Sequence, residues 1–261
     1  MNPAYFLAGA FVGFLVGLTG VGGGSLMAPI LIMFGINPMI AVGTDLWFAC
    51  LTKAVGGAVH HRLGSPDWKI VIRLMAGSLP AAAITLWWLA TYHGGHLDSE
   101  VLKRLLGMML LLTATLMLFR PQIVRPLRRA RAALEPAIRK MRFGQVLVTV
   151  VGGAAIGSLV TLTSVGAGAL VAVMLALVYP LRLDAKRIVG TDIIHAIPLT
   201  LVAALGHSWL GNVDAWLLVS LLLGSIPGIV IGSLVSHKVN EDLVRNALAA
   251  MIVVSAIKMI V

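Results

Sequence analysis

The chain has 261 residues, 59% of them apolar and only 11% charged, with a mean hydropathy of +0.98. Soluble domains carry about 25% charged residues, so this composition marks a chain that lives in lipid and excludes disorder and nucleic-acid binding. The single cysteine, Cys50, excludes an internal disulfide.

In chain order, apolar runs fall at Pro3–Ile36, Pro38–Val59, Ile70–Thr91 and Val101–Phe119. No basic leader precedes the first, so no signal peptide is expected. The stretch Arg120–Arg142 then carries eight basic residues and one acid, which is +7 of the net +10. Further runs follow at Phe143–Tyr179, Ala185–Gly206, Val213–Ser236 and Leu243–Val261. Six of the eight match the ~20 residues that a bilayer asks of a helix. The first and fifth are too long, since a continuous helix over Pro3–Ile36 would reach roughly 51 Å against a hydrocarbon core of about 30 Å. Each holds a glycine cluster, Gly20-Val21-Gly22-Gly23-Gly24 and Gly166-Ala167-Gly168, the latter after Thr163-Ser164. Glycine accepts backbone angles that other residues avoid, so each run is expected to fold back as a broken or hairpin pair. The expectation is an all-α polytopic membrane protein of ten segments, with an N-terminal repeat over 1–119, a basic linker over 120–142 and a C-terminal repeat over 143–261.

The repeat is internal to the sequence. Residues 42–80 laid on residues 189–227 match at fourteen of 39 positions without a gap. Val42-Gly43-Thr44-Asp45 falls on Val189-Gly190-Thr191-Asp192, His60 on His207, Asp67 on Asp214, and Gly77-Ser78 on Gly224-Ser225. The glycine clusters align three residues out of register, with Thr19 on Thr163 and Gly22 on Gly166. Basic loops face the cytoplasm, so the 120–142 linker is predicted inside. Counting legs from it puts both chain termini outside and the matched His60 and His207 loops on opposite faces. That is an inverted repeat of about five segments per half, the plan of many secondary transporters.

A small anion crossing lipid needs a substitute for its hydration shell. Unwound backbone and the N-terminus of the helix that follows offer N–H groups and about half a positive charge. Gly22, Gly23, Gly24, Gly166 and Gly168 would form such breaks, with hydroxyls from Thr19, Ser25, Thr163 and Ser164. The competing reading is that these glycines only let helices approach closely. Thr44 and Thr191 are either substrate ligands or local caps. Asp45 and Asp192 are costly in lipid and are expected to face a partner or a wet cavity as ion-coupling groups, the alternative being ordinary N-terminal helix positions. Lys53, two turns past Asp45 and matched by Thr200, either pairs with Asp45 or meets the anion. His195 lies one turn from Asp192 and within its reach, which suggests a proton relay, unless the ring bonds to backbone. His60 and His207 read as interfacial anchors, Trp87, Trp88, Tyr92 and Trp209 as interfacial rings, and Cys50 as an inert thiol. The linker from Arg125 reads as an ordinary loop, or as a short basic helix on anionic headgroups.

At Gly22-Gly23-Gly24 with Pro29 and Gly35, then Gly43-Thr44, His60 and Gly77, the sequence resembles the sulfite exporter TauE/SafE family. The resemblance implies a polytopic inner-membrane permease for small sulfur-containing anions, sulfite or organosulfonates. This chain has Gly-Thr-Asp twice where many members carry Gly-Thr-Ser, which suggests proton or cation coupling. The expected function is secondary anion transport by alternating access. Its partners are a small inorganic or organic sulfur anion, protons and membrane lipids, with a homodimer compatible with them and no cofactor or metal. An anion channel is the alternative. A membrane-embedded hydrolase built on Ser164 and His195 lacks the Gly-x-Ser-x-Gly elbow, and no phosphate loop for a pump is present.

Overall fold

The computed structural model describes residues 3–19, 26–62, 66–129, 142–180, 182–235, 239 and 241–260. Ten α-helices and no strands occur among them: α1 (Pro3–Thr19), α2 (Met27–Met33), α3 (Pro38–Arg62), α4 (Trp68–His93), α5 (Ser99–Arg129), α6 (Arg142–Thr163), α7 (Ala167–Val178), α8 (Ala185–Trp209), α9 (Ala215–Val235) and α10 (Glu241–Ile260). Six helices among the described residues are long and apolar enough to cross a bilayer. The chain is therefore a multi-pass, all-helical membrane protein.

Local chemistry sets the helix ends. Asp67 caps α4 by accepting from the Ile70 amide, and Gly94 ends it in the left-handed region at φ 58°. Asp184 caps α8 in the same way through the Arg187 amide. Outward faces stay apolar, with Trp87 at 61% and Trp209 at 81% exposure, as befits side chains that meet lipid and its interface.

Both overlong runs break. In the second half the Gln145 side chain on α6 donates to the Val178 carbonyl at the end of α7 at 2.8 Å, so α7 folds back along α6. In the first half the rings of Tyr5 and Phe34 lie 6.3 Å apart, joining the start of α1 to the residue after α2. The first glycine cluster, with Ser25, lies outside the described residues, as do the side chains of Thr19 and His60. Helix α5 departs from expectation by continuing to Arg129, past the apolar run and into the basic stretch. Arginine is a good helix former, so charge ended the apolar pattern without ending the helix.

Two glycine-lined pairs carry much of the packing. α1 lies on α9 through Gly9, Gly13 and Gly17, answered by Gly224, Gly228 and Gly232. α4 lies on α6 through Gly77, Gly153 and Gly157. A Cβ at Gly13 would sit 2.5 Å from the Ser225 carbonyl oxygen, and one at Gly157 would sit 2.5 Å from that of Ser78. Ser78 and Ser225 are the matched serines of the sequence repeat. Small residues thus let backbones touch, as they do where lipid supplies no hydrophobic drive between helices. Between these pairs α3 crosses α8 in antiparallel fashion. Gly43, near the start of α3, abuts the Asn212 carbonyl just beyond α8. Asp67, just beyond α3, donates its amide to Thr191 near the start of α8 at 3.0 Å.

Candidate functional site

The α3–α8 crossing gathers the buried polar groups. Thr44, Asp45, Thr191, His195 and Ser78 are each sealed from solvent, and Lys53, Asp192 and Ser164 are at most 7% exposed. Such groups are costly in a membrane interior and mark function when they converge.

The second helix break lies beside them. Ser164 adopts φ 56°, a left-handed conformation rare for a side chain with a Cβ, and Gly166 follows at φ 99°. Gly166 precedes α7 with no side-chain cap, so the first-turn amides of α7 keep their donors free of the helix's own bonds. Thr163 is occupied within the break: its hydroxyl donates to the Leu159 carbonyl at 2.7 Å and accepts from the Val165 amide at 3.2 Å. The Ser164 hydroxyl instead faces the Asp45 carboxylate across the two halves. It closes no hydrogen bond there, and Ser164 Oγ and Asp45 Oδ1 are both buried without a partner. Gly168 sits within the first turn of α7.

The other carboxylate oxygen of Asp45 is engaged. The Ala28 amide, at the start of α2, donates to Oδ2 at 3.3 Å. An aspartate on α3 thereby caps the short second leg of the first break. Lys53 is 7% exposed and makes no hydrogen bond or ion pair among the described residues. Its charge acts through space on Asp45, Cys50 and His195. Cys50 itself points at the Ile197 carbonyl on α8, 3.8 Å away.

His195 does not hydrogen-bond to Asp192 as the one-turn spacing suggested. Its Nε2 shares a hydrogen bond of 2.9 Å with Ser78 Oγ on α4, while Nδ1 is buried without a partner. Helical spacing brings i and i+3 onto one face, but a better-placed hydroxyl on a neighbouring helix takes the ring. His207 is turned into the bundle rather than outward. It is fully buried and its Nε2 lies 2.9 Å from the Thr161 carbonyl oxygen. Helix α8 runs on to Trp209, so His207 lies inside its last turn with the ring held within the bundle.

Thr44 and Thr191 do matched work. Thr191 Oγ1 accepts from the Asp67 amide at 3.0 Å, and Thr44 Oγ1 accepts from the Asp214 amide at 3.2 Å. Each ties one half's motif to the loop that follows the other half's crossing helix. The Asp67 end carries an ion pair as well. Arg182 Nε and Nη2 reach the two Asp67 carboxylate oxygens at 2.6 and 2.8 Å. Burial pushes the Asp67 carboxyl up, but the Arg182 hydrogen bonds and charge, with the Ile70 and Lys69 amides, outweigh this and hold it below the usual carboxylate range. The pair therefore stays ionised through that range and is lost only as pH falls to the lowered value of the Asp67 carboxyl. Sequence reasoning passed over Ser78, Arg182 and Asp67. The matched Asp67 and Asp214 were visible in the repeat, whereas Arg182 has no counterpart to draw attention to it.

A multi-pass helical bundle with a broken helix and buried charges at its centre has the build of a membrane transporter. The family model described as sulfite exporter TauE/SafE matches residues 5–259, and the chain belongs to that family. Over the whole of both chains it is 41% identical to a probable membrane transporter protein, YjnA, of Bacillus subtilis (strain 168). A second protein so described in that organism, YdhB, is 26% identical over 91% of each chain. The probable membrane transporter protein MJ0441 of Methanocaldococcus jannaschii is 27% identical over 96% of this chain and 90% of its own. No solved structure matches.

Proposed function

We propose that this membrane transporter carries a small oxyanion of sulfur, sulfite or an organosulfonate, by alternating access around the α3–α8 crossing. The observation that carries the reading is Lys53, a cation buried in the bundle with no hydrogen bond or ion pair among the described residues. A cation held within the bundle beside neutral donors attracts an anion, and an anion bound there offsets the cost of its burial. The free α7 amides, the Ser164 hydroxyl and the His195 Nδ1 side of the ring supply neutral donors around the same charge. Gly166, Gly168 and Thr163 shape the second break, while Thr19, Gly22, Gly23, Gly24 and Ser25 would do so for the first.

The halves are read as inverted repeats. Support comes from the matched Thr44–Asp214 and Thr191–Asp67 contacts and from the antiparallel α3 and α8. The linker then faces the cytoplasm and both termini the outside of the plasma membrane. Asp45, Asp192 and His195 are the groups proposed to take up protons as the anion binds, and a homodimer is compatible with the apolar outer faces.

The test is a melting screen of purified protein against sulfite, thiosulfate, sulfate, taurine, sulfoacetate and small carboxylates. A ligand stabilises the state it binds, so sulfite or a sulfonate should raise Tm by several degrees. A rise with carboxylates alone would remove the sulfur assignment.

A further inference from the structure

The two ends of the crossing are closed by equivalent contacts of unequal strength. At the end nearer the linker, Thr191 holds the Asp67 amide, and Arg182 adds a two-point ion pair whose Asp67 side chain is only 9% exposed. Behind it, Arg73 on α4 donates to the Tyr179 hydroxyl at 3.2 Å, and that hydroxyl lies 2.8 Å from Thr149 Oγ1 on α6. At the far end, Thr44 holds the Asp214 amide, and Asn212 Nδ2 donates to the Gly95 carbonyl at 2.8 Å. Among the described residues no ion pair joins the two halves there; the Lys103–Glu100 pair lies within α5.

We infer that Asp67 and Arg182 form a latch over the linker-side mouth of the pathway, with Thr191 as its seat, and that the opposite mouth closes, among the described residues, with neutral contacts. Asp67 belongs to the loop between α3 and α4, in the first half, and Arg182 to the loop between α7 and α8, in the second. Rocking one half against the other toward the linker side must part them. A bidentate carboxylate–guanidinium pair with one partner shielded is among the stronger polar contacts a loop can make. Opening toward the linker is consequently the harder of the two movements. The inference rests on the alternating-access reading, yet it assigns roles to residues that no substrate touches.

The native thiol reports the opening. Cys50 is the sole cysteine, lies at the crossing and is 5% exposed. Its rate of modification by an impermeant thiol reagent is measured in intact cells and in inverted vesicles, with no substrate present. Arg182→Ala, and Asp67→Asn, which keeps a helix-capping side chain, should each speed labelling from the linker face by about tenfold, the worth of one charge-assisted contact. The double variant should add little more, because one interaction has been removed twice. Labelling from the other face should not rise. Equal acceleration from both faces, or none in either single variant, would overturn the latch. Should Arg182→Ala fail to fold, Asp67→Asn carries the test alone. Free labelling of wild-type Cys50 from both faces would instead defeat alternating access and favour a channel, an outcome distinct from an unchanged rate in the variants. Acceleration confined to intact cells would keep the latch and reverse the proposed orientation.

Discussion

The two helix breaks come from matched sequence, yet they differ in electrostatic character. At the first, the amide of Ala28 is taken by Asp45 Oδ2, so a carboxylate from the protein itself sits at the start of α2. At the second, the backbone turns left-handed at Ser164 and Gly166, and Ser164 Oγ, buried without a hydrogen-bond partner, faces the other side of that same carboxylate. Lys53 sharpens the contrast, since its repeat mate is Thr200 and the charge has no twin. On the proposed transport reading, the substrate site is drawn toward Lys53 rather than shared equally by the two breaks.

Three substitutions probe that difference. Gly166→Val has the largest expected effect. The residue stands at φ 99°, and a Cβ there would come within 2.7 Å of Leu170 and 3.3 Å of Met109, a strain of about 1–3 kcal/mol before any crowding. Sulfite-induced stabilisation should vanish while the protein still reaches the membrane; retained stabilisation would move the anion away from this break. Lys53→Gln removes the charge and keeps a polar side chain one atom shorter. Losing a charge-assisted contact should weaken sulfite about 10–100-fold in a binding titration, and an unchanged affinity would return Lys53 to a purely structural place. Asp45→Asn should leave affinity nearly intact, because the amide oxygen still accepts from Ala28. Accumulation of labelled sulfite driven by a pH gradient should fail in this variant while exchange at equal pH persists. Parallel loss of both would mean that the carboxylate serves folding alone.

Much of the fold could be read in advance because its signals are one-dimensional. An apolar run too long for the bilayer, with glycine inside it, has few outcomes other than a fold-back, and α6–α7 takes that course. The site was legible only where a single helix sufficed. Asp45, Lys53 and Ser164 stand out as polar residues inside apolar runs. What each touches depends on helix crossings: Ser78 reaches His195 from α4, and Thr44 reaches Asp214 from the other half. A one-turn spacing pointed to Asp192 as the partner of His195, but spacing within a helix says nothing about competition from the next one. His207 was legible as the end of a span, but not its burial against the Thr161 carbonyl, which depends on a neighbouring helix.

The glycine-lined pairs bear on how the protein is made. α1 finds its partner in α9, and α4 finds its partner in α6, so each close pairing joins a helix from one half to a helix from the other. When ribosomal synthesis has delivered the first five helices, the small-residue faces of α1 and α4 still have nothing to grip. The nascent first half is thus an open clasp rather than a finished domain, and α1 must wait in the bilayer for a segment more than two hundred residues downstream. A chain truncated before Ala215 would leave α1 without its glycine-lined mate however well its own helices form.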